Sequence, residues 1–282
     1  MIRKVLKTLG IIILIIILLG IILAAIYFPA MKKLYFGEAE IRPDSALTLY
    51  LGGGGNTVVF NSDSAILVID TKYGKAAESL YNKVVTIGKG KPVIIVNTHS
   101  DLDHTGGNAL YKNARIISGK VDEEYWISAN KGSAGMPSEW LTDTLDLKLG
   151  EETVSLIPVG QAHTWSDLAV YFHHRNMLVT GDLVFNGINT FFDEKKGSNG
   201  WKSLTVLKVL EKLPEIKMVV PGHGETGGRE LITQMQAYLE DMALAADNPE
   251  MEKEIRKKYK KLAAMPGMSS PGIVIDYFRN NR

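Results

Sequence analysis

Four side chains of metal-ligand type fall within six residues of this chain: His99, Asp101, Asp103 and His104. They directly follow the apolar run Pro92–Thr98, which reads as a buried strand, so they sit on a loop at that strand's C-terminal end. Three more donors recur in the same setting. His163 comes just after Val154–Val159, Asp182 follows Met177–Thr180 through Gly181, and His223 follows Met218–Val220 through Pro221 and Gly222. Each is a strand, then small residues, then a ligand-type side chain, and glycine there permits close backbone approach. Imidazole and carboxylate donors suit Zn²⁺, Mn²⁺ or iron. Two such ions about 3.5–4 Å apart lower the pKa of water and polarise a carbonyl, phosphoryl or sulfuryl oxygen, which is hydrolytic chemistry.

Taken singly, each element has a plainer reading. A lone histidine after a strand is commonly a capped or solvent-touching residue, and Gly-Asp is usually a turn. All four elements in one chain point to a metal site. The chain has six histidines, and the remaining two, His173 and His174, fall in the turn of an expected hairpin and read as exposed. There is no cysteine, so disulfides and thiolate ligation are excluded.

The elements that must position these residues are legible as alternating strands and helices. Leu47–Leu51 and Thr57–Phe60 read as paired strands around the four-glycine turn Gly52–Gly55; no Lys-Ser/Thr follows the glycines, so a phosphate loop is not expected. Ala65–Asp70 is a buried strand. Gly74–Ile87 has helical spacing, with Ala77, Leu80, Tyr81, Val84 and Val85 on one face. Residues 114–118 and 154–159 read as strands, and Leu168–Phe172 with Met177–Thr180 as a hairpin. Met218–Val220 reads as a short strand stopping at Pro221. Helices are expected over Trp201–Leu213, Glu230–Ala246 and Met251–Ala264. Residues 119–147 read as irregular, a wall or lid over the metals. Trp126, Trp140 and Trp165 are candidate pocket residues and equally candidates for packing, and Lys131, Arg175 and Lys195 are candidate partners for an anionic group. The last residues, from Gly272, read as a docking strand or helix, with a substrate gate as a further possibility. The pattern suits a layered α/β domain whose loops at one sheet edge carry the chemistry.

Leu9–Phe28 carries no charge across 20 residues and would reach about 30 Å as a helix, the depth of a bilayer's hydrocarbon core. A cleaved signal peptide has a shorter apolar core and a better small-residue site than the one near Ala30, and a buried core helix is seldom so uniformly Ile/Leu. A signal anchor is the expectation. Arg3, Lys4 and Lys7 precede the segment and Lys32 and Lys33 follow it, which favours an internal N-terminus and an extracytoplasmic catalytic domain. The expected organisation is residues 1–8 as a basic N-terminus, 9–28 transmembrane, 29–45 linker, 46–246 catalytic domain and 247–282 a C-terminal helix and tail. With 32 basic and 31 acidic residues the net charge is +1, and no basic stripe indicates a nucleic-acid partner.

The order His-x-x-x-Asp-His, then His, Asp and His, resembles the metallo-β-lactamase superfamily over about residues 46–245. The resemblance implies an αββα sandwich of two mixed sheets with helices outside and two divalent metals at one edge, Zn²⁺ foremost. It implies His99, Asp101 and His163 on the first metal, Asp103, His104 and His223 on the second, and Asp182 as the bridge, with Asp103 also orienting the nucleophile. The substrate would be a small lactam, lactone, ester, thioester, phosphoester or sulfate ester. One position departs from the family: Asp101 stands where a second histidine is usual. A harder oxygen donor shifts preference toward Mn²⁺ or iron. A non-haem iron redox protein similar to the flavodiiron proteins is therefore the alternative, with a non-catalytic binding module as a third reading.

Overall fold

The structure is a computed structural model that describes residues 2–31, 38–264 and 268–281. Lys32, Lys33, the early part of the expected linker (residues 32–37) and Met265–Gly267 lie outside the described residues.

Two sheets carry the domain. In the first, strands β1 (Ala39–Ile41), β2 (Leu47–Leu51), β3 (Thr57–Asn61) and β4 (Ile66–Ile69) pair antiparallel in sequence order. Strands β5 (Val93–Asn97), β6 (Arg115–Gly119) and β7 (Glu139–Leu141) then continue in parallel from β4. In the second, β8 (Leu145–Leu149), β9 (Glu152–Gly160), β10 (Asp167–Phe172) and β11 (Met177–Phe185) are antiparallel, and β12 (Met218–His223) adds in parallel to β11.

The central strands read as apolar runs because both of their faces are covered, whereas β1 is exposed and β8 alternates. In β4, Leu67 and Ile69 face the opposite sheet, while Ile66 and Val68 face helix α2 (Gly74–Gly88). In β10, Leu168, Val170 and Phe172 point into the space between the sheets, and Ala169 and Tyr171 point outward. Phe60 and Phe172 meet edge to face across that space, 5.7 Å between ring centres. The outer face of the second sheet is covered by α5 (Gly200–Leu210), α6 (Glu230–Asp247), α7 (Pro249–Lys258) and α8 (Pro271–Asn280). Two short helices, α3 (Leu102–Thr105) and α4 (Glu123–Ala129), lie in the loops after β5 and β6. The result is the αββα sandwich expected from the sequence.

Several local readings are corrected. Val85 is exposed, so the buried face of α2 is narrower than its sequence pattern suggested. Helix α7 stops at Lys258. Strand β12 runs through Pro221 to His223; it is the edge strand of its sheet, where a missing N–H is tolerated. Residues 119–147 are not irregular throughout: they hold α4, β7 and the start of β8. The C-terminal segment docks as a helix, with Val274, Ile275 and Phe278 buried against the second sheet's helical layer.

Helix α1 (Ile2–Met31) stands apart in composition. Its window Thr8–Ala25 has a mean hydropathy of 3.2 and none of it is buried, so by length and composition it can cross a membrane.

Candidate metal centre

Parallel pairing of β4 with β5 and of β11 with β12 brings four strand ends to one edge of the sandwich. Asp70 ends β4. His99 and Asp101 follow β5, and Asp103 and His104 ride on the single turn α3. Asp182 and His223 lie near the ends of β11 and β12, and His163 lies on the β9–β10 loop. Asp167 holds that loop by accepting from the backbone N–H of Ala162 and Thr164 and from the Thr164 hydroxyl. Asn56 ties the first sheet to the second beside the site: its amide group donates to the carbonyls of Pro221 and Gly224, and its backbone N–H to Gly222.

Asp182 is the hub. Its carboxylate oxygens lie 3.8 Å from His99 Nε2, 3.3 Å from His104 Nε2, 3.4 Å from His163 Nε2 and 3.4 Å from His223 Nε2. Two mutually close donor sets result: His99, His163 and Asp182, and Asp103, His104 and His223. Backbone packing around the hub leaves no room for side chains. A Cβ on Gly222 would stand 1.9 Å from Asp182 Oδ1, and one on Gly55 would stand 2.4 Å from the His104 ring.

These residues fit a pair of cations. Nε2 of His99 and His104, both ring nitrogens of His163, and Asp182 Oδ1 are buried without a hydrogen-bond partner, which native interiors rarely allow. The charge balance points the same way. Three carboxylates (Asp101, Asp103 and Asp182) face one ammonium, Lys196, if the imidazoles are neutral. Asp70 adds a fourth carboxylate against His104 and Lys72 a second ammonium within electrostatic reach of Asp70 and Asp103, so negative charge still exceeds positive and raises the imidazoles. Burial opposes a charge on His223, yet Asp182 and Asp103 push it up to about 9. His104 is raised well above its usual value against burial by Asp182, Asp70 and Asp103. His99 falls to about 3, through burial and then repulsion from His104.

Asp101 differs from the expectation. Both of its oxygens accept from the Lys196 ammonium at 2.9 Å. Its Oδ2 lies 3.7 Å from His163 Nε2, and it falls outside the two mutually close sets. His173 and His174 are exposed at the β10–β11 turn, where His173 Nε2 meets Ser155 Oγ at 2.7 Å. Arg175 pairs there with Glu152 and Asp44, away from the donors. Trp126 is packing, 1 % exposed and edge-on to Trp140, whereas Trp165 is 48 % exposed.

Three supporting residues were not singled out by the sequence. Asp70 accepts from the backbone N–H and hydroxyl of Thr98 and from His104 Nδ1. Lys72 is buried, and its ammonium donates to the carbonyls of Tyr50, Gly52 and Gly55, holding the glycine turn against His104. Lys196 is the third. A charged residue ending a wholly apolar strand was the available signal for Asp70.

Two mixed sheets face to face, helices outside, and a His/Asp cluster at one edge define a class of metal-centre proteins. The chain belongs to the Metallo-beta-lactamase superfamily, whose sequence profile matches residues 50–223. It is similar to the metallo-beta-lactamase type 2 of Bacillus cereus, 26 % identical over 180 residues that cover 63 % of this chain and 70 % of that one. It is also similar to a hydroxyacylglutathione hydrolase from a Synechococcus strain, 26 % identical over 207 residues, 70 % of each protein. A solved metallo-beta-lactamase from Pontibacter korlensis superposes with a TM-score of 0.62 at 20 % identity, covering 73 % of this chain and all of that one, a likeness of fold.

Proposed function

We propose that the chain is a membrane-anchored, di-metal hydrolase of a small ester, lactone, lactam, thioester or phosphoester. The observation that carries this reading is the placement of Asp182 within 3.8 Å of all four imidazoles, between two separate donor sets. His99, His163 and Asp182 would hold one ion, and Asp103, His104 and His223 the other, with Asp182 shared. Bound divalent ions would supply Lewis acidity and a water of lowered pKa.

The chain's own groups divide the remaining work. Asp103 has the most open carboxylate of the cluster, 24 % exposed against 7 % for Asp182. It is the one placed to orient an attacking water and accept its proton. His223 Nε2, 3.3 Å from Asp103 Oδ2, fixes that carboxylate. Phe185 stacks on the His223 ring, 5.6 Å between ring centres, and holds its plane. Tyr73 and Trp165 stand exposed on loops flanking the centre and offer apolar contact to a substrate.

Zinc is the first choice of metal. The case for iron or manganese rested on Asp101 as an added hard donor, and Lys196 neutralises that carboxylate. Helix α1 would anchor the chain with residues 46–246 as the catalytic domain on the extracytoplasmic side. A panel of a chromogenic lactam, a lactone, a thioester and a phosphodiester, run on metal-loaded and chelator-stripped protein, tests the reading. Turnover of at least one, lost on stripping and restored by Zn²⁺, is expected; equal turnover by stripped protein would refute it.

A further inference from the structure

Asp101 and Lys196 lie beside the centre but outside both donor sets. Asp101 caps α3 through its backbone alone: its carbonyl accepts from the N–H groups of His104 and Thr105, and its side chain takes no part in the cap. The carboxylate is therefore free to choose a partner, and it is only 8 % exposed, so it needs one. Two partners are within reach. One is the first donor set, through His163 at 3.7 Å. The other is Lys196, which engages both oxygens at 2.9 Å.

Lys196 is built into place. It ends a short 3-10 turn, Glu194–Lys196, capped by Asp193, whose side chain accepts from Lys195 N, and closed by Gly197 in the left-handed region. The Tyr125 hydroxyl donates to the Lys196 carbonyl at 3.3 Å. The Ser198 hydroxyl donates to the carbonyl of His163 at 2.6 Å, so the turn is tied to a ligand-bearing loop. Helix α8 braces it from outside: the Tyr277 hydroxyl donates to the Ser198 carbonyl at 2.8 Å, and the Asn281 amide to Glu194 at 2.8 Å.

We infer that Lys196 is a positioning residue that withholds Asp101 from the first metal position, leaving that position three protein donors and a weaker hold on its ion than the second. The inference rests on the di-metal reading above. Physically, a carboxylate shared evenly by an ammonium gives up charge and lone pairs that a metal would otherwise use. At the second position no ammonium makes such a contact among the described residues: Asp103 Oδ2 pairs with the imidazoles of His104 and His223, and Lys196 and Lys72 act on it only at longer range. The two ions should then load in sequence, second position first.

The test is a Zn²⁺ titration of the full-length chain in detergent, stripped of metal and read against a chromogenic chelator. Two classes of site are expected, separated by ~10-fold or more, with His163→Ala abolishing the weaker class and His223→Ala the tighter. Asp101→Asn should leave both affinities within about threefold, and Lys196→Met should strengthen the weaker class by about tenfold, by freeing Asp101 to ligate. Weakening of that class by Asp101→Asn, or by Lys196→Met, would overturn the inference and make Asp101 a ligand aimed by Lys196. Two classes of equal affinity would also overturn it. A wild-type chain that takes up no Zn²⁺ would instead sink the di-metal reading itself.

Discussion

Asp70 Oδ2 lies 2.7 Å from His104 Nδ1, on the side of the ring opposite Asp182. The same oxygen accepts from the Thr98 hydroxyl, whose oxygen is 3.0 Å from His99 Nδ1. With its own proton committed to Asp70, the Thr98 hydroxyl can only accept from His99. In the neutral rings one buried carboxylate thereby puts the proton on Nδ1 of both, so that Nε2 is the nitrogen each turns to the centre and can offer to a cation.

Asp70→Asn removes the charge and offers His104 Nδ1 either a donor or a poorer acceptor. Zn²⁺ affinity is expected to fall by about 10- to 100-fold with the circular dichroism spectrum unchanged. Chelator competition measures it, and an unchanged affinity would show that the two tautomers are set elsewhere.

Gly222→Ala tests the close packing at the hub. The new Cβ would meet Asp182 Oδ1 at 1.9 Å and backbone atoms of Gly181 and Asp182 within 2.8 Å, so Asp182 must move. The variant should fold yet retain less metal per chain than wild type, as read by elemental analysis. Full metal content with full activity would mean that Asp182 has slack that the geometry does not show.

Lys72→Met replaces a buried ammonium that satisfies three carbonyls. A loss of about 3 kcal/mol in unfolding free energy is expected, because those carbonyls stay buried without donors. Denaturant titration of metal-stripped wild type and variant checks this, and a loss below about 1 kcal/mol would argue that the glycine turn holds itself.

The raised imidazoles set a pH dependence. At neutral pH His223, with its pKa near 9, and His104 carry protons that an incoming ion must expel. Apparent Zn²⁺ affinity should therefore rise with pH from 7 toward about 9 and flatten above. Calorimetry in buffers of differing ionisation heat should register proton release at pH 7; a pH-independent affinity without release would contradict the charge balance described here.

Much of the fold could be read from the chain because burial on both faces writes itself as apolar runs. A layered α/β domain, the β10–β11 hairpin and the helices α2, α5 and α6 follow from such runs and from helical spacing, whereas the αββα sandwich is what the resemblance of the donor motifs implies. The reading failed where the signal was short or positional. Leu145-Asp146-Leu147-Lys148-Leu149 alternates with period two, and Asp122 caps α4 by accepting from Glu124 N and Tyr125 N, yet both signals are short and sit among glycines and polar residues that read as irregular. Pro221 stopped β12 too early, because nothing in the sequence marks an edge strand. The donors themselves stood out by type and spacing. Asp70, Lys72 and Lys196 did not, since their partners are distant backbone groups and side chains that only the tertiary structure brings near. Lys195 was singled out where its neighbour Lys196 makes the contact.

The central claim is that six clustered side chains exist to hold two metal ions, and elemental analysis of the purified full-length chain addresses it most directly. About two equivalents of zinc, iron or manganese per chain are predicted, falling to at most one in Asp182→Ala. A well-folded wild-type chain that never retains a transition metal, even after incubation with excess Zn²⁺, would contradict it.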